Sequence, residues 1–60
     1  MPRSLRSALD ALTTDAARTY ERAFTAEEAG DLDLCADLLR AADRIVDRAE
    51  AMAAAAGFSL

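Results

Sequence analysis

The chain has 60 residues, of which 53% are hydrophobic and 30% charged, with a formal net charge of −4, one cysteine and no histidine. One cysteine excludes an internal disulfide, and the lack of histidine argues against a structural zinc site, so we expect a chain this short to be stabilised by self-association or by a partner chain. The negative charge argues against a general nucleic-acid binder, and no stretch is apolar enough for a signal peptide or a membrane span, so we expect a cytoplasmic protein with no membrane partner.

The first predicted element is a helix over about residues 4–29. Its apolar positions recur at spacings of three and four, which is typical of a helix with one core-facing side. These positions are Leu5, Ala8, Leu9, Leu12, Ala16, Thr19, Ala23 and Ala26, with Tyr20 and Phe24 at one edge. Two alternatives stay open: a break at 13–15, where Thr and Asp compete for backbone hydrogen bonds, and a restart at Thr25, which forms a capping box with Glu28. We expect continuity, because the apolar positions keep their phase across 13–15.

A tight turn is predicted between the first helix and a second one. Gly30 suits the left-handed position after a helix, and Asp31 suits the N-cap of the next helix. The acidic residues Glu27, Glu28, Asp31 and Asp33 lack the spacing and the closing bidentate Glu of a calcium loop. We interpret them as a solvated, helix-flanking turn, and we predict neither a metal nor a cofactor.

The second predicted helix covers about residues 31–56, and its apolar arc is about 140° wide on a helical wheel. One antiparallel neighbour cannot cover such an arc, and Leu39 and Val46 lie at its far edge. The sequence therefore predicts an all-α antiparallel helical hairpin that pairs with a second copy as a homodimeric four-helix bundle. The predicted core and dimer residues are Leu5, Leu9, Leu12, Ala16, Leu34, Cys35, Leu38, Leu39, Ala42, Ile45, Val46, Ala49 and Met52.

The other side of the second helix is charged. Arg40, Arg44 and Arg48 recur every four residues beside four acids, a pattern typical of a solvated face with weak ion pairs. The alternative is a docking surface for a protein partner, made of Glu27, Glu28, Asp31, Arg40, Arg44 and Arg48. At the end of the helix Gly57 suits a C-cap and Phe58 can fold back on the last turn.

The residue types needed for catalysis are scarce. Without histidine, the Cys–His and Ser–His arrangements of nucleophilic catalysis are excluded. Cys35 falls within the apolar arc and has acidic sequence neighbours, so it is expected to be a small core residue, not a reactive thiol. We predict no catalytic residue and a non-enzymatic protein.

The run LCADLLRAADRIVDR at 34–48, together with Leu5, Leu9, Leu12 and Ala16, resembles the core pattern of Rop-type plasmid copy-number regulators. The resemblance implies an antiparallel four-helix bundle formed by two hairpins, and an RNA-binding surface on the outer face of the two first helices. The matching surface positions here are Ser7, Ala11, Asp15 and Arg22. Ala11 and Asp15 stand where that family has groups that contact RNA, so the resemblance supports the fold more than RNA binding.

Two functions follow as hypotheses. The first is a small interaction module that self-associates and binds a protein partner through its outer helix faces. The alternative is an RNA-binding regulator that uses Arg3, Arg6, Arg18 and Arg22, since residues 1–24 carry four Arg against three acids while residues 25–60 carry three Arg against eight. The overall negative charge disfavours the RNA alternative.

Overall fold

The computed structural model describes residues 3–57 and shows two helices joined by a tight turn. Helix α1 spans Arg3–Glu28 and helix α2 spans Leu32–Ala55. The Cα positions extend over 42 × 15 × 12 Å, the dimensions of a single elongated helical hairpin. The predicted all-α helical hairpin is confirmed, and the helix ends differ from the predicted ones by one residue each, because Ala29 belongs to the turn and Asp31 and Ala56 are caps.

Helix α1 is continuous, so it neither breaks at 13–15 nor restarts at Thr25. The threonines that made those alternatives plausible bond back to the helix itself. The Thr13 hydroxyl donates to the carbonyl oxygen of Leu9 at 3.1 Å, and the Thr25 hydroxyl donates to that of Glu21 at 3.1 Å. A hydroxyl satisfied within its own helix no longer competes with the helical backbone, so these residues are tolerated in the interior of α1.

The turn satisfies the backbone groups that the ends of two helices would otherwise leave unpaired. Gly30 has a φ of +79°, and its N–H donates to Glu27 while the N–H of Asp31 donates to Ala26. This pair of bonds is the Schellman motif, which requires a left-handed residue that glycine adopts without strain. The Asp31 carboxylate then accepts from the N–H of Leu34 at 3.2 Å, so the predicted cap at each side of the turn is confirmed.

The two helices meet along a seam made mostly of alanine. The buried residues along it are Leu9, Ala16, Ala23, Ala26, Cys35, Ala42, Ala49 and Ala53. Leu9 forms one cluster with Ala49 and Ala53, and Cys35 forms another with Ala23 and Ala26 near the turn. Small side chains let the helix axes approach closely, but they bury little apolar area per residue. No large side chain within residues 3–57 is fully buried.

Helix α2 ends with a glycine cap of the same kind as the turn. Gly57 has a φ of +83°, and its N–H donates to the carbonyl oxygen of Ala54 at 3.0 Å. This confirms the left-handed position predicted for Gly57. The predicted contact of Phe58 lies outside the described residues.

Candidate interaction surfaces

The burial pattern divides the apolar positions of each helix into two classes. In α1 positions 9, 16 and 23 are buried, whereas positions 5, 12 and 19 are half-buried. In α2 positions 35, 42 and 49 are buried, whereas 38, 45 and 52 are half-buried. Both sets repeat every seven residues, so each helix presents a row of small seam residues and a row of larger residues beside it.

The larger residues form the first surface, which we call the leucine face. Leu5, Leu12 and Met52 pack against the cluster at Leu9, while Leu38 packs against the cluster at Cys35. Since Ile45 lies one heptad from both Leu38 and Met52, and Leu34 lies one turn before Leu38, all of them share one side of the seam. The leucine face is therefore Leu5, Leu12, Leu34, Leu38, Ile45 and Met52.

The leucine face is open in the single hairpin. Leu34 is 46% exposed, and the other five residues are half-buried. Near the turn this face contains a groove of about 340 Å³, lined by Arg22, Thr25, Ala26, Ala29, Asp31, Leu34 and Leu38. Thr19 also lies on this side, and its hydroxyl donates to the carbonyl oxygen of Asp15 at 2.8 Å. Covering Thr19 would therefore leave no unsatisfied hydroxyl hydrogen.

The opposite side of the seam is identified by one hydrogen bond between the helices. The Tyr20 hydroxyl of α1 donates to the Asp43 carboxylate of α2 at 2.9 Å. Phe24 lies one turn after Tyr20, while Leu39 and Val46 lie one turn to either side of Asp43. We call this second surface the tyrosine face: Tyr20, Phe24, Leu39 and Val46.

The tyrosine face is also open to solvent in the single hairpin. Phe24 is 62% exposed and Leu39 is 39% exposed, while Tyr20 and Val46 are half-buried. The pKa of Tyr20 is raised above its ordinary value of 10.0, first by the hydrogen bond to Asp43, then by loss of solvent and by the negative charges of Asp43 and Asp47. The sequence placed Tyr20 and Phe24 at the edge of the apolar positions. The hydrogen bond from Tyr20 to Asp43 could not be predicted from the spacing of residues within one helix, because the two residues lie on different helices.

The structure separates two residues that the sequence had grouped with the predicted dimer core. Leu39 and Val46 lie on the tyrosine face, across the seam from Leu38 and Ile45. One neighbour packed on the leucine face would not reach them. The wide apolar arc of α2 is therefore two surfaces with a seam between them.

Cys35 is free, buried and surrounded by Ala23, Ala26 and Leu38. Its side chain fills a core position next to the turn. The acidic turn residues Glu27, Glu28, Asp31 and Asp33 are all exposed, and within residues 3–57 no group of three or more Cys, Asp and Glu side chains is placed to hold a metal ion.

The predicted charged surfaces are exposed but do not form one site. Arg40 makes an ion pair with Asp37 one turn before it, on the outer side of α2. Arg6, Arg18 and Arg22 are exposed on α1, whereas the side chain of Arg3 lies outside the described part of the chain. Asp10, Asp15 and Glu21 are exposed among these arginines, so positive charge along α1 is interrupted.

The comparisons with known proteins give no family. The chain matches no protein-family model, no curated protein and no solved structure. The similarity to Rop-type regulators therefore stays a prediction from the core pattern. As far as residues 3–57 go, neither α1 nor α2 has an apolar stretch long enough to cross a bilayer.

Proposed function

We propose that this chain is a non-enzymatic interaction module that pairs with a second copy through the leucine face and binds a protein partner through its outer surfaces. The observation that carries the proposal is the incomplete core of the hairpin. Among the described residues eight are buried, six of them alanines, and the larger apolar side chains of the leucine face remain open to solvent. A core of this size supplies too little hydrophobic free energy for a domain of 60 residues.

A second copy suits the leucine face in size and pattern. The half-buried row on each helix repeats every seven residues, which is the spacing that packs knobs into holes between nearly antiparallel helices. Two such faces brought together would give alternating layers of small seam residues and large leucine-face residues, as in a four-helix bundle. Homodimers with twofold symmetry present the same patch from both chains, which a self-complementary apolar face satisfies.

The native mass tests self-association directly. We expect sedimentation equilibrium at micromolar concentration to give twice the mass of the chain. Leu38→Asp should abolish the dimer, because it would bury an unpaired charge in the interface and beside the Cys35 cluster. A folded wild-type monomer at that concentration would contradict the proposal.

Leu38→Asp could also unfold the hairpin, so a milder pair of variants is needed. Leu34 is 46% exposed in the hairpin and Leu39 is 39% exposed, so neither Leu34→Asp nor Leu39→Asp should unfold it. Leu34→Asp places a charge on the leucine face and should weaken the dimer. Leu39→Asp makes the same chemical change on the tyrosine face and should leave the dimer intact. Equal dimer dissociation in both variants would assign self-association to another surface.

The alternative function is RNA binding through α1. It is favoured by the exposed pair Arg18 and Arg22, which lie one turn apart and would be doubled in a dimer. Binding driven by phosphate contacts must weaken steeply with salt and with Arg18→Ala and Arg22→Ala. A structured RNA that binds with both properties would replace protein binding as the main function, and the absence of any electrophoretic shift would remove the alternative.

A further inference from the structure

The tyrosine face remains uncovered in the proposed dimer. A second copy on the leucine face contacts the other side of the seam, so Phe24 and Leu39 would stay in solvent at close to their exposure in the hairpin, 62% and 39%. A contiguous patch of exposed apolar side chains often marks an interaction site.

The charges around the tyrosine face are almost all negative. On the α1 side Glu21 lies three residues before Phe24 and Glu28 four residues after it, and both are exposed. On the α2 side the exposed carboxylates of Asp43, Asp47 and Glu50 follow the same side of the helix. The apolar strip therefore has an acidic rim along both of its long edges.

The arginines are distributed differently. Arg18 and Arg22 lie on the side of α1 away from Tyr20, and Arg44 and Arg48 lie on the side of α2 away from Leu39 and Val46. Arg6 lies on the tyrosine-face side, but it is 14 residues before Tyr20, towards the open end of the hairpin. Arg40 is one heptad before Asp47 and lies beside the α2 rim, where its guanidinium pairs with Asp37. Four of the six arginines whose side chains are described therefore lie away from the tyrosine face, while five carboxylates border it, so the net charge around this face is negative.

We infer that the tyrosine face is the docking site for a cationic amphipathic helix of a different protein, with apolar residues on the strip of Tyr20, Phe24, Leu39 and Val46 and basic side chains on its acidic rims. This inference rests on the proposed function, since it assigns the protein partner to one surface and one chemical class. The mode is a helix laid along the surface where α1 and α2 meet, with anchors spaced by three, four and seven residues.

The geometry of the strip fits such an occupant. Phe24 lies near the turn and Val46 near the middle of α2, so the strip follows the hairpin for roughly three helical turns, or about 16 Å. The Tyr20 hydroxyl donates to Asp43, so this side chain of the strip links α1 to α2. Asp47 and Glu50 lie at and beyond the next turn, within reach of basic side chains on a partner helix.

A second copy of this chain is the wrong occupant for the tyrosine face. Pairing two such faces would bring the acidic rims of both chains together, and like charges opposed across an interface are destabilising. The leucine face has no such barrier, because Arg22 and Arg48 lie near it as well as Asp15 and Asp37. Charge therefore directs the second copy to one face and a basic partner to the other.

The probe for the experiment is a synthetic helical peptide of about 18 residues, roughly 27 Å of helix. It carries Leu along one side and Arg beside it, with Ala elsewhere, and its counterpart has Glu in place of every Arg. Fluorescence anisotropy with the full chain should show saturable binding of the Arg peptide and none of the Glu peptide. The affinity should fall as salt is raised, because the rim contacts are exposed and screened.

Two pairs of variants assign the binding to the tyrosine face. Phe24→Ala should weaken binding of the Arg peptide by about tenfold or more, because it removes the largest exposed apolar side chain of the strip. Leu34→Ala, which truncates an exposed residue of the leucine face, should leave binding unchanged. The double variant Asp47→Asn with Glu50→Gln should weaken binding, whereas Asp15→Asn removes a carboxylate on the leucine-face side of α1 and should not.

The result separates this inference from the proposed function, because the mass of the particle reports the leucine face and peptide binding reports the tyrosine face. Equal binding of the Arg and Glu peptides would overturn the inference, as would insensitivity to Phe24→Ala. Self-association of a Leu34→Asp variant that is lost on adding Phe24→Ala would also overturn it, since a second copy would then occupy the tyrosine face. A dimer that fails to bind the peptide would refute the inference alone.

Discussion

The leucine face and the tyrosine face flank the same alanine seam but differ in composition and in charge. The leucine face is a regular heptad row of aliphatic residues with both arginines and acids beside it. The tyrosine face is shorter, contains both aromatic residues of α1 and is bordered by carboxylates. A regular, nearly neutral face suits a copy of itself, whereas an irregular face with net negative charge suits a partner with positive charge.

The seam holds both faces in place, so the most damaging change is at its centre. Ala42 is fully buried, and Ala42→Asp would place a charge where it has neither water nor a partner. Such a charge costs several kcal/mol, which is comparable with the whole stability of a small domain. We expect loss of the helical circular dichroism signal at 25 °C. Ala51→Asp, at an exposed position of the same helix, is the control and should remain helical.

Alanine variants of two adjacent residues of α2 allow a direct comparison of the two faces. Ile45 lies on the leucine face and Val46 on the tyrosine face, and both are half-buried in the hairpin. If a second copy covers the leucine face, Ile45→Ala removes about 2–3 kcal/mol of buried apolar contact, while Val46→Ala removes about 1 kcal/mol from a surface that stays half-open. Urea unfolding at two protein concentrations gives both values.

Concentration dependence supplies the control for this pair. The unfolding midpoint of a dimer rises with protein concentration by mass action. In Val46→Ala the unfolding midpoint should rise with protein concentration as it does in the wild type. In Ile45→Ala the same rise should require higher protein concentrations, because the dimer is weaker. Equal losses in the two variants, with no concentration dependence in either, would mean that the faces do not differ in the way proposed.

The turn keeps the two helices in the register that assembles each face. Gly30 has a φ of +79°, and a methyl group at this position would contact nothing within 4 Å, so Gly30→Ala introduces backbone strain without a clash. The left-handed conformation costs a non-glycine residue about 1–2 kcal/mol. Thermal unfolding should show this loss in full for Gly30→Ala. Gly57→Ala has the same strain at φ +83° but lies at the end of α2, where unwinding relieves it, and should lose less.

The smallest expected effect concerns the hydrogen bond that crosses the tyrosine face. The pKa of Tyr20 is raised in the folded chain because the hydroxyl donates to Asp43, so the bond stabilises the fold fully below the unfolded pKa. The stabilisation is lost as pH rises through the folded pKa, above 10.0. We expect Tyr20→Phe to be slightly less stable than the wild type at pH 8, and the difference to disappear at higher pH.

The titration can be measured at this one group. The chain has one tyrosine and no tryptophan, so the ultraviolet absorbance of tyrosinate reports Tyr20 alone. Its midpoint should lie above that of the chain unfolded in urea, and Asp43→Asn should lower it. A midpoint equal to that of the unfolded chain would show that the bond to Asp43 does not form in solution.

The local features were predictable because each is encoded within a few residues. The long helices follow from spacings of three and four and from the lack of glycine and proline between residues 3 and 29. Gly30, Asp31 and Gly57 act through their own backbone conformation or their nearest N–H groups, so their roles were confirmed. The continuity of α1 is also a local property, because the Thr13 hydroxyl donates a hydrogen bond to the carbonyl oxygen of Leu9, one turn earlier in the same helix.

The tertiary structure decided which side of the seam each apolar residue faces. The sequence by itself determined that α2 has an apolar arc too wide for one neighbour, and it grouped Leu38, Leu39, Ile45 and Val46 together. A helical wheel has no information about the rotation of one helix against another, so it cannot locate the seam within a wide arc. Burial of Ala42 and Ala49 placed the seam in the middle of the arc, and the bond from Tyr20 to Asp43 identified the second face. The alanines determine this rotation, because the helices can approach each other most closely where both of them carry small side chains.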